Sequence, residues 1–134
     1  EPGHEELAAA IERSGTTCTR VRSAGGVLTP ADLESIGMGW VGEEALAMAL
    51  ACASTATSPE HFARTLWCSV VHAGDSDSTG SLTGNLLGAM YGEPALPSAW
   101  LEALELREVV ERIARDLHAV TEGTELDWVE YPPG

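Results

Sequence analysis

Basic side chains are scarce: seven Lys and Arg stand against 21 Asp and Glu, for a formal net charge of −14 and a pI near 4.4. Such a surface repels phosphate backbones and anionic lipid headgroups, so neither nucleic acid nor a membrane surface is an expected partner. Aromatic residues are only 5% of the chain. With Ala and Leu abundant, that favours helices over a sandwich or barrel. No apolar run approaches the roughly 20 residues of a membrane span, and no basic, apolar, small-residue leader is evident. The three cysteines, Cys18, Cys52 and Cys68, are widely spaced and form no CxxC. Cys52 and Cys68 sit in apolar stretches and read as buried thiols, which points to a reducing, cytoplasmic compartment. The chain opens Glu1-Pro2-Gly3 without an initiator Met, so a piece of a longer polypeptide is expected.

What is present suits one globular domain: 134 residues, 44% of them hydrophobic. "GHEELAAAIERSG" places Leu7, Ala8 and Ile11 on one side and predicts a short amphipathic helix ending at Gly15. Residues 16–28 lack a helical period and read as a loop. "TPADLESIG" is a small helix with Thr29 as its cap, Pro30 at the first helical position and Asp32 in its first turn. From residue 45 the next helix is apolar nearly all round, which predicts a central position. "SPEHFARTLWCSVVHAG" repeats the Ser-Pro start and is expected to bury Phe62, Leu66, Trp67, Val70 and Val71. A short helix in "EPALPSAWLEAL" precedes a long amphipathic one carrying Leu106, Val109, Val110, Ile113, Leu117 and Val120 over a core. Trp100 and Trp128 read as packing residues, and the tail reads as extended. No strand pairing emerges, and the fold class is all-α.

The chemistry concentrates in "HAGDSDSTGSLTGNLLGAMYG", residues 72–92. Asp75 and Asp77 offer two carboxylates, and Ser76, Ser78 and Thr79 add hydroxyls. Hard oxygen donors suit Mg²⁺, Mn²⁺ or Ca²⁺ rather than Zn²⁺. An EF-hand is excluded, because its twelfth position needs a bidentate Glu and here holds Leu86. Helix capping alone also explains Asp75. Gly80, Gly84, Gly88 and Gly92 recur every fourth residue, as expected where another backbone packs close against a helix. Close packing needs no ligand, but carboxylates near an interior need a partner. No Lys or Arg lies within this stretch.

The motif resembles the C-terminal signature of the ADP-ribosylglycohydrolase family, which includes the dinitrogenase reductase-activating glycohydrolases. Gly74, Asp75, Ser76, Asp77 and Ser78 match its Gly-Asp-[Thr/Ser]-Asp-[Thr/Ser] pattern, and Tyr91-Gly92 closes it. "GWVGEEALAMALACA" and "LPSAWLEALELREVVERIARDL" resemble the flanking segments, so the likeness spans about residues 36–118. The resemblance implies a multi-helix bundle of which residues 1–134 are the C-terminal part of a single catalytic domain. Residues 1–35 would be a peripheral helix and loop, 36–122 the core helices with the metal motif, and 123–134 an extended tail. It implies a cleft with two Mg²⁺ ions, Mn²⁺ being an alternative, and places Asp75, Asp77 and Ser78 on its metal ligands. Gly39 and Trp40 become candidate ADP-ribose contacts, although a tight turn with a core tryptophan explains them equally. The implied reaction is metal-assisted hydrolysis of the bond between ADP-ribose and an acceptor, often a protein arginine. The implied partners are ADP-ribosylated proteins or small-molecule ADP-ribose conjugates.

The family's N-terminal half carries a Thr-Asp-Asp ligand cluster and an acidic residue near the attacking water. This chain has no Thr-Asp-Asp. The catalytic residues are therefore expected in an N-terminal part of the same enzyme. The competing expectation is a noncatalytic domain that binds ADP-ribose or a divalent ion. His72 reads as a satisfied core histidine within reach of Asp75. Glu43 and Glu44 read as residues that favour a helix start, with a supporting role at the metal site as the alternative. His4, His61 and His118 read as surface or boundary residues.

Overall fold

The computed structural model describes residues 4–125 and 129–131, and among these the regular elements are all helical. The chain divides into two compact units, Glu1–Pro97 and Ser98–Gly134. The first contains α1 (His4–Ser23), α2 (Pro30–Glu34), α3 (Gly42–Thr55), α4 (Phe62–Val70) and α5 (Ser76–Tyr91). Among the described residues no helix is long and apolar enough to cross a membrane.

The Ala-rich helix is central, as its all-round apolar sequence predicts. α3 packs against α1 on one side and against α4 and α5 on another. Small side chains let the neighbours approach closely: Ala45, Ala47, Ala49, Ala51 and Ala53 are all buried. Met48, Leu33 and Ile36 fill the lobe between α1, α2 and α3. Phe62 and Leu87 fill the lobe between α3, α4 and α5. Each such large side chain contributes roughly 1.5–3 kcal/mol of burial.

α2 forms as its sequence dictates. The Thr29 side chain accepts from the Asp32 N–H, the Asp32 carboxylate accepts from the Thr29 N–H, and Pro30 opens the helix.

Several expectations are corrected. α1 does not end at Gly15 but continues to Ser23, so most of the expected loop over 16–28 is helix. Its inner face is Ala10, Ser14, Thr17, Cys18 and Val21, helically spaced but polar enough to hide the period. The actual stop is Gly25 at φ +62, with Gly25 N–H donating to Arg22 O and Gly26 N–H to Val21 O. Those two bonds are a Schellman cap.

α4 buries Phe62 but not Trp67 or Val71, which are exposed. Its fully inward positions are Phe62, Thr65 and Ser69, set by where α3 and α5 lie rather than by side-chain polarity. The glycines of α5 do not form one packed stripe. A Cβ at Gly80 would meet the Val70 side chain at 2.6 Å and one at Gly84 would touch Leu66, while Gly88 faces open space. Gly92, at φ +70, caps the helix.

The second unit holds α6 (Ser98–Ala103) and α7 (Arg107–Thr121). The amphipathic pattern does form a helix, but Val109, Val110, Ile113, Leu117 and Val120 are exposed rather than over a core. Trp100 is exposed as well. One long and one short helix offer too little surface to bury such a face. The Arg112–Glu130 ion pair (2.7 Å) and the Tyr131 hydroxyl on Asp116 (2.6 Å) hold residues 129–131 against α7. Trp128 lies outside the described residues.

Candidate functional site

The Asp-Ser-Asp segment is the turn into α5. Asp75 is the N-cap, and its Oδ1 accepts from the Ser78 N–H at 3.4 Å. Capping is therefore part of what this residue does. Asp77 is in the first turn and exposed, while Asp75 and Ser78 are half-buried. Since residues 76–91 are helical, the segment is not an EF-hand loop.

Two loops meet at this corner. Gly39 has φ +78, and a Cβ there would lie 3.0 Å from Thr79 Cγ2 and 3.4 Å from Asp75 O. A Cβ on Gly74 would come within 1.8 Å of Met38 O, whose true partner is the Asp75 N–H at 2.8 Å. Glycine at 39 and 74 thus lets backbone touch backbone. Trp40, next in the chain to Gly39, is 69% exposed. It is not a core tryptophan, so the corner carries a free aromatic face. The structure brings Gly39 against Asp75 and leaves Trp40, Asp77 and part of Asp75 accessible.

Several residues that hold the corner were given other roles, or none, by the sequence. Glu44 Oε2 accepts from Met38 N–H (2.9 Å) and Gly39 N–H (3.1 Å), fixing the loop that reaches Asp75. Glu34 Oε1 accepts from Ala73 N–H at 3.0 Å. Thr79, which the sequence offers as a further hydroxyl beside the aspartates, is instead buried completely beneath the corner. Its hydroxyl lies 2.8 Å from Ser69 O, Asp75 O and His72 Nε2. The only available signal was its place four residues after Asp75, on the inner side of the helix.

His72 is buried and its partner is Thr79 rather than Asp75. Its Nδ1 accepts from the Gly74 N–H at 3.0 Å. That bond assigns the neutral Nε2–H tautomer, which donates to Thr79 Oγ1 and leaves the Thr79 proton for a carbonyl.

Two carboxylates share this corner. The side chain of Asp77, then the Ser78 hydroxyl, hold the Asp75 carboxyl below the ordinary carboxylate range. No arginine among the described residues pairs with either aspartate. Two hard carboxylates and a hydroxyl at an accessible helix start fit part of a Mg²⁺ or Mn²⁺ coordination shell. Among the described residues, no cluster of three or more His, Cys, Asp or Glu gathers that could complete it.

Comparison with known proteins agrees with the motif. The model of the ADP-ribosylglycohydrolase family matches residues 2–127. Among curated proteins, 51 residues are 43% identical to the ADP-ribosyl-[dinitrogen reductase] glycohydrolase of Rhodospirillum rubrum, covering 38% of this chain and 17% of that protein. A 57-residue stretch is 35% identical to human ADP-ribosylhydrolase ARH3, covering 42% and 16%. A 49-residue stretch is 37% identical to ADP-ribosylhydrolase ARH1 of Dictyostelium discoideum, covering 37% and 12%. The matches thus span less than a fifth of these relatives' own lengths. No solved structure matches. With the motif in place at the head of α5 and the family model matching nearly end to end, the chain belongs to the ADP-ribosylglycohydrolase family.

Proposed function

We propose that this chain supplies part of the active site of an enzyme that hydrolyses the glycosidic bond between ADP-ribose and an acceptor, an arginine side chain being the acceptor class favoured. Asp75, Asp77 and Ser78 are the ligands it contributes to a pair of divalent ions, Mg²⁺ or Mn²⁺. When bound, these would supply an electrostatic clamp on the ribose hydroxyls and favour attack by water at the anomeric carbon. The observation that carries this reading is the accessible Asp75–Asp77 pair, without an arginine partner among the described residues, in a chain of this family.

The chain's own residues do the positioning. The Ser78 N–H orients the Asp75 carboxylate. Glu44 fixes the Met38–Gly39 loop against it. Gly39 and the exposed Trp40 would meet the ADP-ribose. The remaining ligands and the acid near the water come from polypeptide outside residues 1–134. Three free cysteines suit a reducing, cytoplasmic setting.

The test is Asp75→Ala in the complete enzyme, assayed on an ADP-ribosyl-arginine peptide with Mg²⁺ titrated by calorimetry. Activity should fall by about 100-fold or more, the scale of several kcal/mol lost from metal assistance. Helical content should persist, since losing the cap costs about 1 kcal/mol. Undiminished turnover would overturn the assignment. A second reading, a noncatalytic domain that binds ADP-ribose or a divalent ion, is favoured by the incomplete donor set. It predicts binding without turnover in the wild-type enzyme.

A further inference from the structure

A cavity of about 330 Å³ opens in the first unit and is lined by none of the residues of the Asp75 corner. Cys52 of α3 and Cys68 of α4 both line it, together with Arg22, Arg64, His61 and Thr65. Among the described residues no Asp or Glu lines it, in a chain where acids outnumber bases three to one. The two thiols are free, and Cys68 packs against the core cluster that contains Cys52. Cys52 is fully buried, whereas Cys68 is half-buried and donates to Leu28 O at 3.4 Å. The Thr83 hydroxyl of α5 is buried without a hydrogen-bond partner among the described residues. The third cysteine is differently placed. Cys18 lies against Ala51 O and Ser54 Oγ and does not line the cavity.

We propose that Cys52 and Cys68 are a dithiol that a hydroperoxide entering this cavity oxidises to an intramolecular disulfide between α3 and α4. Geometry assigns the roles: the thiol with access attacks and the buried one resolves. The electrostatics agree. Cys52 draws the Cys68 thiol down, with a small contribution from the Arg64 charge, against burial and the Asp32 charge. Contact with Cys68, and burial, push the Cys52 thiol up, so it keeps its proton until needed.

The Cys68 thiolate attacks the peroxide, an S–O bond forms as the O–O bond breaks, and the alcohol (or water) leaves with a proton from solvent. Cys52 sulfur then attacks the sulfenic acid. The S–S bond forms, the S–O bond breaks, and the hydroxyl departs as water with the Cys52 proton. Sulfur loses two electrons overall and the peroxide gains them.

The test is to treat the reduced, intact protein with stoichiometric hydrogen peroxide, block remaining thiols under denaturing conditions, and map peptides by mass spectrometry. The expected result is a loss of about 2 Da per chain from one disulfide, a linked Cys52–Cys68 peptide, and Cys18 still alkylated. Cys52→Ser should leave Cys68 trapped as a sulfenic acid that dimedone labels, and Cys18→Ser should change nothing. Cys68 over-oxidised to sulfinic acid in the wild-type protein, or linked between chains, or both thiols alkylated after treatment, would overturn the proposal. The wild-type peptide map decides without any variant having to fold.

Discussion

Removing the Thr79 hydroxyl should destabilise the first unit, and the cost follows from its partners. Thr79→Val keeps the branched shape, so no cavity opens in a fully buried position. What is lost is polar. His72 Nε2–H loses its acceptor, and Ser69 O and Asp75 O lose a donor at 2.8 Å. One buried donor left unpaired costs about 1–3 kcal/mol, and the forfeited hydroxyl bond adds about 0.5–1.5 kcal/mol. The total is about 1.5–4.5 kcal/mol, a large share of a domain's stability. Thr79→Ser is the control: it keeps the hydroxyl, drops the methyl that Gly39 approaches, and should cost about 1 kcal/mol. Urea unfolding followed by far-ultraviolet circular dichroism reads both values, provided the denaturant slope is unchanged. If Val unfolds within about 0.5 kcal/mol of wild type, or if Ser is the worse of the two, the hydroxyl is not the hub and the reasoning fails.

Other perturbations separate the parts of the first unit. Gly74→Ala forces a carbon into the Met38 carbonyl, and should destabilise by more than about 3 kcal/mol, seen as collapse of soluble yield or of the melting transition. Thr29→Ala removes one arm of the α2 capping box and should cost about 1 kcal/mol near neutral pH. The pH course of that loss has a fixed sign. The Thr29 hydroxyl, with Arg20 at 2.6 Å, holds the Asp32 carboxyl below its ordinary value. The associated stability is thus full above about pH 4, the unfolded value, and disappears as pH falls through the lower folded value. Denaturation midpoints measured down this limb should show wild type and Thr29→Ala converging in acid; a constant gap would contradict the linkage.

Legibility in the sequence followed the reach of each interaction. The α2 box lies within four residues, and Thr29, Pro30 and Asp32 announce it. The all-round apolar run of α3 and the Asp75 cap of α5 are equally local. The end of α1 is hidden because Gly15 reads as a stop and the inner face beyond it is Thr17, Cys18 and Val21, a period written partly in polar letters. Trp40 and Trp67 illustrate the reverse: large apolar side chains whose exposure depends on what packs nearby. At the corner, the motif identified Asp75, Asp77 and Ser78 as candidates. Nothing in it foretold that Met38 O would meet Asp75 N–H, because that contact joins distant segments of the chain; Glu44 lies near Met38 in sequence but reads as a helix-start residue.

The meeting of Met38 and Gly74 has a further consequence. The spacing between the two loops is gauged by a peptide carbonyl and a peptide N–H, not by the size of any side chain. A gap set by side chains drifts when the core repacks, because rotamers and volumes adjust by small steps. A gap set by main-chain atoms has no such continuum: it is either closed or broken. The corner should therefore hold its shape across mutants of widely differing stability and lose it only when the segment unfolds. That is the behaviour of a fixed jig rather than of a spring.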